Sequence, residues 1–146
     1  VNKSDLIWYT PHGMYAFVTD VASYPQFLPW CDQAKVADED AQGMTAEVGI
    51  SFGGIRQTFT TRNTHTPDQE VAMALVEGPF SQLDGVWRFH VLGDGSQRAS
   101  KVELVLNYGF DSATLGKLVG PVFDKIAASM VEAFVKRAQQ VYGEPK

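Results

Sequence analysis

The residues best suited to do chemistry in this chain are apolar. Asp20 to Cys31 reads Asp-Val-Ala-Ser-Tyr-Pro-Gln-Phe-Leu-Pro-Trp-Cys, a run of large apolar and aromatic side chains on a backbone interrupted by Pro25 and Pro29. Proline fixes φ, lacks an N–H and biases the residue before it toward extended backbone, so Tyr24 and Leu28 are expected in a bent, non-regular connection. So greasy a connection needs something apolar to cover. It is either a plug over the end of a core or the lip of a cavity for a hydrophobic ligand, and the residues alone leave both open.

Bond-breaking chemistry has little to work with. His12, His65 and His90 are scattered and Cys31 is the single cysteine, so neither metal-ligand spacing nor an internal disulfide arises. Cys31 is expected to be a buried or half-buried small residue. There is no nucleophile-base pair, no paired carboxylates and no GxGxxG; Gly93-x-Gly95 reads as a turn. The sequence argues for neither an enzyme nor a bound cofactor. A net charge of −5 and a pI near 5.1 speak against broad nucleic-acid binding, DNA included. No charged stretch followed by an apolar run opens the chain, and no segment approaches the roughly 18 apolar residues a membrane span needs. The expectation is a soluble, cytoplasmic protein, with a leader removed ahead of Val1 left open.

The 146 residues are expected to form one domain, 1–146, of the α+β class. Asn2 to Thr10 alternates loosely as a strand, and Pro11 suits the first turn of a helix to about Thr19. A weak strand signal covers Ala34 to Ala37. Met44, Ala46, Val48, Ile50 and Phe52 alternate cleanly with polar or small residues, and Gly53-Gly54 predicts a hairpin into Ile55, Gln57, Phe59 and Thr61. Further strands are expected at Val71 to Glu77, Leu83 to Leu92 and Lys101 to Phe110. Gly78-Pro79 and Gly93-Asp94-Gly95-Ser96 separate them.

From Leu115 the apolar residues change to three-and-four spacing, through Leu118, Val119, Val122, Phe123, Ile126, Met130, Phe134, Ala138 and Val141. This predicts one long amphipathic helix, kinked or restarted at Gly120-Pro121 and capped at Gly143. Lys136 and Arg137 would complement the carboxyl end of its dipole. A curved sheet with one apolar face must cover it with this helix. The inward set is Phe52, Phe59, Met73, Leu75, Trp87, Phe89, Leu104, Leu106 and Tyr108, facing Val122, Ile126 and Met130 beside small Ala127 and Ala133. Aromatics, methionines and small residues suit a flexible apolar ligand, and they suit a packed core equally. Glu77, Asn63 and Tyr108 share the inward phase; Arg56, Arg62, Arg88, His90 and Glu103 share the outward one.

Three segments resemble one family. Asp20 to Cys31 is similar to the D-V-x-x-Y-P-x-F-L-P-W-C signature of the coenzyme Q-binding family of START-like, polyketide-cyclase-type proteins, whose bacterial members include the ribosome association toxin. Phe59-Thr60-Thr61-Arg62-Asn63 resembles that family's strand motif. Glu77 to Phe89 resembles its G-P-F-x-x-L-x-G-x-W-x-F motif, and the helix from Val122 to Tyr142 has the family's look. The resemblance covers essentially the whole chain with its motifs in order.

It implies a helix-grip fold around an interior apolar cavity. It makes Tyr24, Pro25, Phe27, Leu28 and Trp30 the wall or gate, with Phe80 and Trp87 contributing from the Gly-Pro-Phe hairpin. The function it implies is binding a quinone-like isoprenoid such as ubiquinone as cargo, in support of respiration and with transient contact to a membrane. The alternative it implies is a toxin-type protein docking on the large ribosomal subunit, for which Arg56, Arg62 and Arg88 would be the outward candidates.

Overall fold

Alternating apolar and polar residues dictate a sheet with one dry face. The computed structural model describes residues 1–52, 54–94 and 99–143, and in it that sheet has seven antiparallel strands. Along the chain come β1 (Asn2–Ile7), α1 (Pro11–Thr19), a 3-10 turn (Val21–Gln26), β2 (Cys31–Asp40) and β3 (Gly43–Phe52). They are followed by β4 (Ile55–Thr66), β5 (Glu70–Glu77), β6 (Phe80–Val91), β7 (Ser100–Phe110) and α2 (Ala113–Tyr142). The spatial order is β1-β7-β6-β5-β4-β3-β2, so β2 to β7 form a meander and β1 pairs with its last strand. α2 lies on the inner face, and the helix-grip expectation holds.

Local chemistry sets the helix ends. Thr10 caps α1 by accepting from the Gly13 N–H at 3.0 Å, with Pro11 in the first turn where a missing N–H costs nothing. Ser112 caps α2 by accepting from the Leu115 N–H at 3.1 Å, and Gly143, at φ 83°, closes it through an N–H to the Gln139 carbonyl. α2 turns Val119, Phe123, Ile126, Ala127, Val131, Phe134 and Ala138 onto the sheet. Opposite them Trp87, Val102 and Leu104 are buried almost completely.

Several boundaries differ from expectation. β1 stops at Ile7 because Thr10 is committed to capping α1; Trp8 is 60% exposed while Tyr9 turns inward. β2 is far longer than Ala34 to Ala37. Its Lys-Val-Ala-Asp-Glu-Asp stretch has no alternation to detect, being exposed almost throughout, and it is held by backbone pairing to β3 with two register shifts. β6 begins at Phe80 and not Leu83, with an irregularity between Phe80 and Gln82. The proline-rich connection is in part regular, since Tyr24 and Pro25 lie in the 3-10 turn. α2 runs through Pro121 without a restart, and its last turn carries no basic residue, Lys136 and Arg137 lying farther back. At the β3–β4 hairpin Phe52 pairs with Ile55 and Gly54 has φ 83°, whereas Gly53 lies outside the described residues. Gly95 and Ser96 of the expected β6–β7 turn lie outside them as well.

Candidate functional site

Where α2 crosses the sheet, the interior contains a cavity of about 80 Å³. Period-two geometry assembles its walls: Ala46, Val48 and Ile50 from β3; Phe59, Thr61 and Asn63 from β4; Met73 from β5; Leu83 and Trp87 from β6; Leu104 and Leu106 from β7. The helical period supplies the roof, Phe123, Ile126, Ala127 and Met130 at three-and-four spacing. Val21, Tyr24 and Trp30 close the side beneath the 3-10 turn. The lining is apolar apart from Tyr24, Thr61, Asn63 and the two indoles. Thr61 Oγ1 and Asn63 Oδ1 are 2.7 Å apart, and both residues are buried.

Among the described residues no carboxylate, amine or imidazole reaches this lining. Tyr24 is the one titratable side chain among the described residues that line it. Burial, then the neighbouring Cys31 and Asp20, push that phenol's pKa up, and its hydroxyl donates to the Val18 carbonyl. Cys31, beside it, is 4% exposed; burial pushes its thiol up to about 11, so it is a small structural residue and a poor nucleophile at neutral pH. Among the described residues no group of three or more His, Cys, Asp or Glu could hold a metal ion, and no helix is long and apolar enough to cross a membrane.

The structure gathers Tyr24, Trp30, Phe59, Met73, Trp87, Leu104, Leu106, Ile126 and Met130 of the expected site on this lining. The other expected residues stand elsewhere. Pro25 and Phe27 line an open outer groove of about 570 Å³ against Glu132, Ala133, Lys136 and Arg137 of α2. The Arg137 guanidinium lies 5.1 Å over the Phe27 ring and bonds Gln26 Oε1 at 3.1 Å. Trp30 belongs to both spaces and stands between groove and cavity. Leu28 is fully buried in the core, and Leu75 and Val122 are half-buried against it. Phe80 packs on Phe59, Phe110 and Phe123 at 5.1–5.7 Å. Phe89 stacks along Trp87, and Tyr108 packs on Phe123 and donates to the Asp124 carboxylate. The Phe52 side chain lies outside those described.

Val21, Ala46, Val48, Ile50, Thr61, Leu83 and Phe123 are lining residues absent from the expected set. The strand alternation and the helix spacing already carry the phase that selects most of them. Glu77 shares the inward phase of β5 but reaches solvent as a strand-end carboxylate, with an irregularity in β5 that leaves Val76 as an extra residue between Leu75 and Glu77. The outward arginines are all neutralised. Arg56 meets Asp32 at 2.5 Å, Arg62 meets Asp40 at 2.8 Å, and Arg88 lies 3.2 Å from Glu70 and 3.7 Å from Glu103, which His90 approaches at 3.6 Å. The hydrogen bond from Arg62, helped by the Gln42 N–H, holds the Asp40 carboxyl below its usual range.

A sequence profile of the polyketide cyclase, dehydrase and lipid-transport family matches residues 7–135. The chain is 42% identical over 144 residues to the ribosome association toxin RatA of Vibrio cholerae, covering 99% of this chain and 98% of that one. It is 27% identical over 143 residues to the mitochondrial coenzyme Q-binding protein COQ10 homolog B of Xenopus laevis, covering 97% of this chain and 59% of that protein. Among solved structures, the Zhui aromatase/cyclase of Streptomyces sp. R1128 superposes with a TM-score of 0.82 at 15% identity, covering 96% of this chain and 93% of that one, a likeness of fold. With a helix-grip architecture, an apolar interior and relatives of both names along nearly its whole length, the chain belongs to the START-like family of coenzyme Q-binding and ribosome association toxin proteins.

Proposed function

We propose that the protein is a binding module for a hydrophobic ligand of the quinone-isoprenoid type, which it carries and does not transform. The observation that supports this most directly is the cavity itself: an apolar lining with one buried hydroxyl-amide pair and no acid-base group. A prenylated quinone has the complementary chemistry, a long apolar body and a small polar head, and apolar burial at about 25 cal/mol per Å² can drive its uptake. The relative named for coenzyme Q binding supports the same ligand class. At about 80 Å³ the cavity is well below the roughly 300–1,000 Å³ of typical small-molecule sites, so the cargo must widen it. Unbranched Met73 and Met130 on opposite walls are the side chains best able to yield. Trp30, shared with the outer groove, is the natural gate.

Organic extraction of gently purified protein followed by mass spectrometry, with an unrelated protein in parallel, tests this reading. A stoichiometric quinone or isoprenoid is the expected outcome. An empty protein that also refuses added quinone would end it.

Association with the ribosome is the second reading, favoured by 42% identity to a protein named for that activity. The pairing of Arg56, Arg62 and Arg88 with carboxylates argues against those three as the docking patch. Co-sedimentation with separated subunits distinguishes the readings: pelleting with the large subunit is what a ribosome-docking protein would show.

A further inference from the structure

Thr61 and Asn63 are polar residues more than nine-tenths buried, on adjacent inward positions of β4, and both line the cavity. Opposite them in register on β3 are Ala46 and Met44. Within the pair, the Thr61 hydroxyl donates to Asn63 Oδ1 at 2.7 Å. That single bond uses the hydroxyl's one hydrogen, and among the described residues the Asn63 amide hydrogens have no side-chain or backbone acceptor. Exchanging the amide's O and N positions does not alter the balance. The pair owns three polar hydrogens, one is consumed internally, and two remain for whatever occupies the cavity. Tyr24, the other hydroxyl on the lining, is already spent on the Val18 carbonyl.

Among the described residues the buried side-chain polar atoms without a partner are His65 Nε2 and Arg137 Nε, so the Asn63 amide nitrogen is open to the cavity. A ligand that covered it without offering an acceptor would bury it unpaired, which is costly, and the cavity therefore favours a ligand that brings one. We infer that Asn63, held by Thr61, is the specificity-determining residue of this cavity and recognises a carbonyl oxygen on an otherwise apolar ligand. This rests on the ligand-carrying reading and adds to it the chemistry of the head group: a ketone or quinone is accepted in preference to a hydrocarbon of the same shape.

The test uses a matched pair, 2-decyl-3-methyl-1,4-naphthoquinone and its carbonyl-free twin 2-decyl-3-methylnaphthalene, measured by equilibrium dialysis. The parent protein is expected to bind the quinone about tenfold more tightly, the worth of one buried hydrogen bond. Asn63→Leu, of similar volume, is expected to erase that preference by losing quinone affinity while keeping the twin's. Infrared spectroscopy of quinone bound to the parent gives a readout independent of whether the variant folds: the carbonyl stretch should move to lower frequency. Equal binding of the two ligands by the parent, an unshifted carbonyl, or a preference that survives Asn63→Leu would overturn the assignment and leave the carrier reading standing. Failure of the parent to bind either compound would overturn both.

Discussion

Two parts of the same interior are filled in different ways. Tyr24, Phe27, Phe134, Trp87 and Phe89 form a chain of rings whose neighbouring centroids lie 5.1–6.4 Å apart, mostly edge to face. Phe59, Phe80, Phe110, Phe123 and Tyr108 form a second such group at 4.5–6.2 Å. The cavity touches Tyr24 and Trp87 of the first group and Phe59 and Phe123 of the second, and between them, among branched aliphatic residues, its walls include the small or flexible Ala46, Thr61, Asn63, Met73, Ala127 and Met130. Rings interlock and hold their shape, whereas small and unbranched side chains leave room and can move. The space is a product of residue size at a few positions, not of an unusual backbone.

The largest test of that contrast is Phe134→Ala. The ring is fully buried and meets Tyr24, Phe27 and Trp87, so its loss should cost about 3–5 kcal/mol, read as a lowered urea midpoint. A cost under about 1 kcal/mol would mean the ring cluster repacks as freely as the cavity wall. Ala46→Leu addresses the other region. Filling the space should weaken quinone binding at least about tenfold while costing less than about 1.5 kcal/mol of stability. A collapse of the thermal midpoint would show that the wall has no slack.

The smallest effect concerns His65, at the margin of the first ring group, 6.0 Å from the Tyr15 ring and with Nε2 buried and unpartnered. Burial chiefly, with Arg62 adding to it and Glu39 opposing, holds its pKa below the ordinary value. The unfolded chain therefore takes up the proton first. Its contribution is intact above the unfolded-state pKa of about 6.5 and is lost as pH falls toward the folded value. His65→Leu should flatten the dependence of the urea midpoint between pH 7.5 and 5.5; an unchanged slope would assign it to other groups.

Much of this was legible in the sequence where one physical rule acted alone. Period two along β3, β4, β6 and β7 and three-and-four spacing along α2 select the inward faces, and the Tyr-Pro and Gly-Pro-Phe motifs carry the family. What escaped obeyed two rules at once. Glu77 keeps the inward phase on paper, yet an irregularity in β5 itself, with Val76 extra between Leu75 and Glu77, leaves it at the exposed strand end. Pro25 and Phe27 belong to an aromatic segment expected at the cavity, but a 3-10 turn folds Tyr24 inward and leaves those two facing the groove beside α2. Phe80 is apolar and buried as expected, yet it serves the second ring group, since burial does not say which neighbours a side chain meets. Cavity size is a property of facing pairs such as Ala46 and Ala127, which no single strand or helix encodes.

The long, polar β2 has a consequence for the protein's life at high concentration. The sheet is open, and β2 forms one of its two edges, where a row of unpaired backbone groups could recruit the edge of another copy. Two register shifts interrupt the even spacing an incoming strand would need, and Asp38, Glu39 and Asp40 would place like charge opposite like charge in a self-pairing. The stretch that gave the weakest strand signal is the one that guards the sheet against edge-to-edge aggregation.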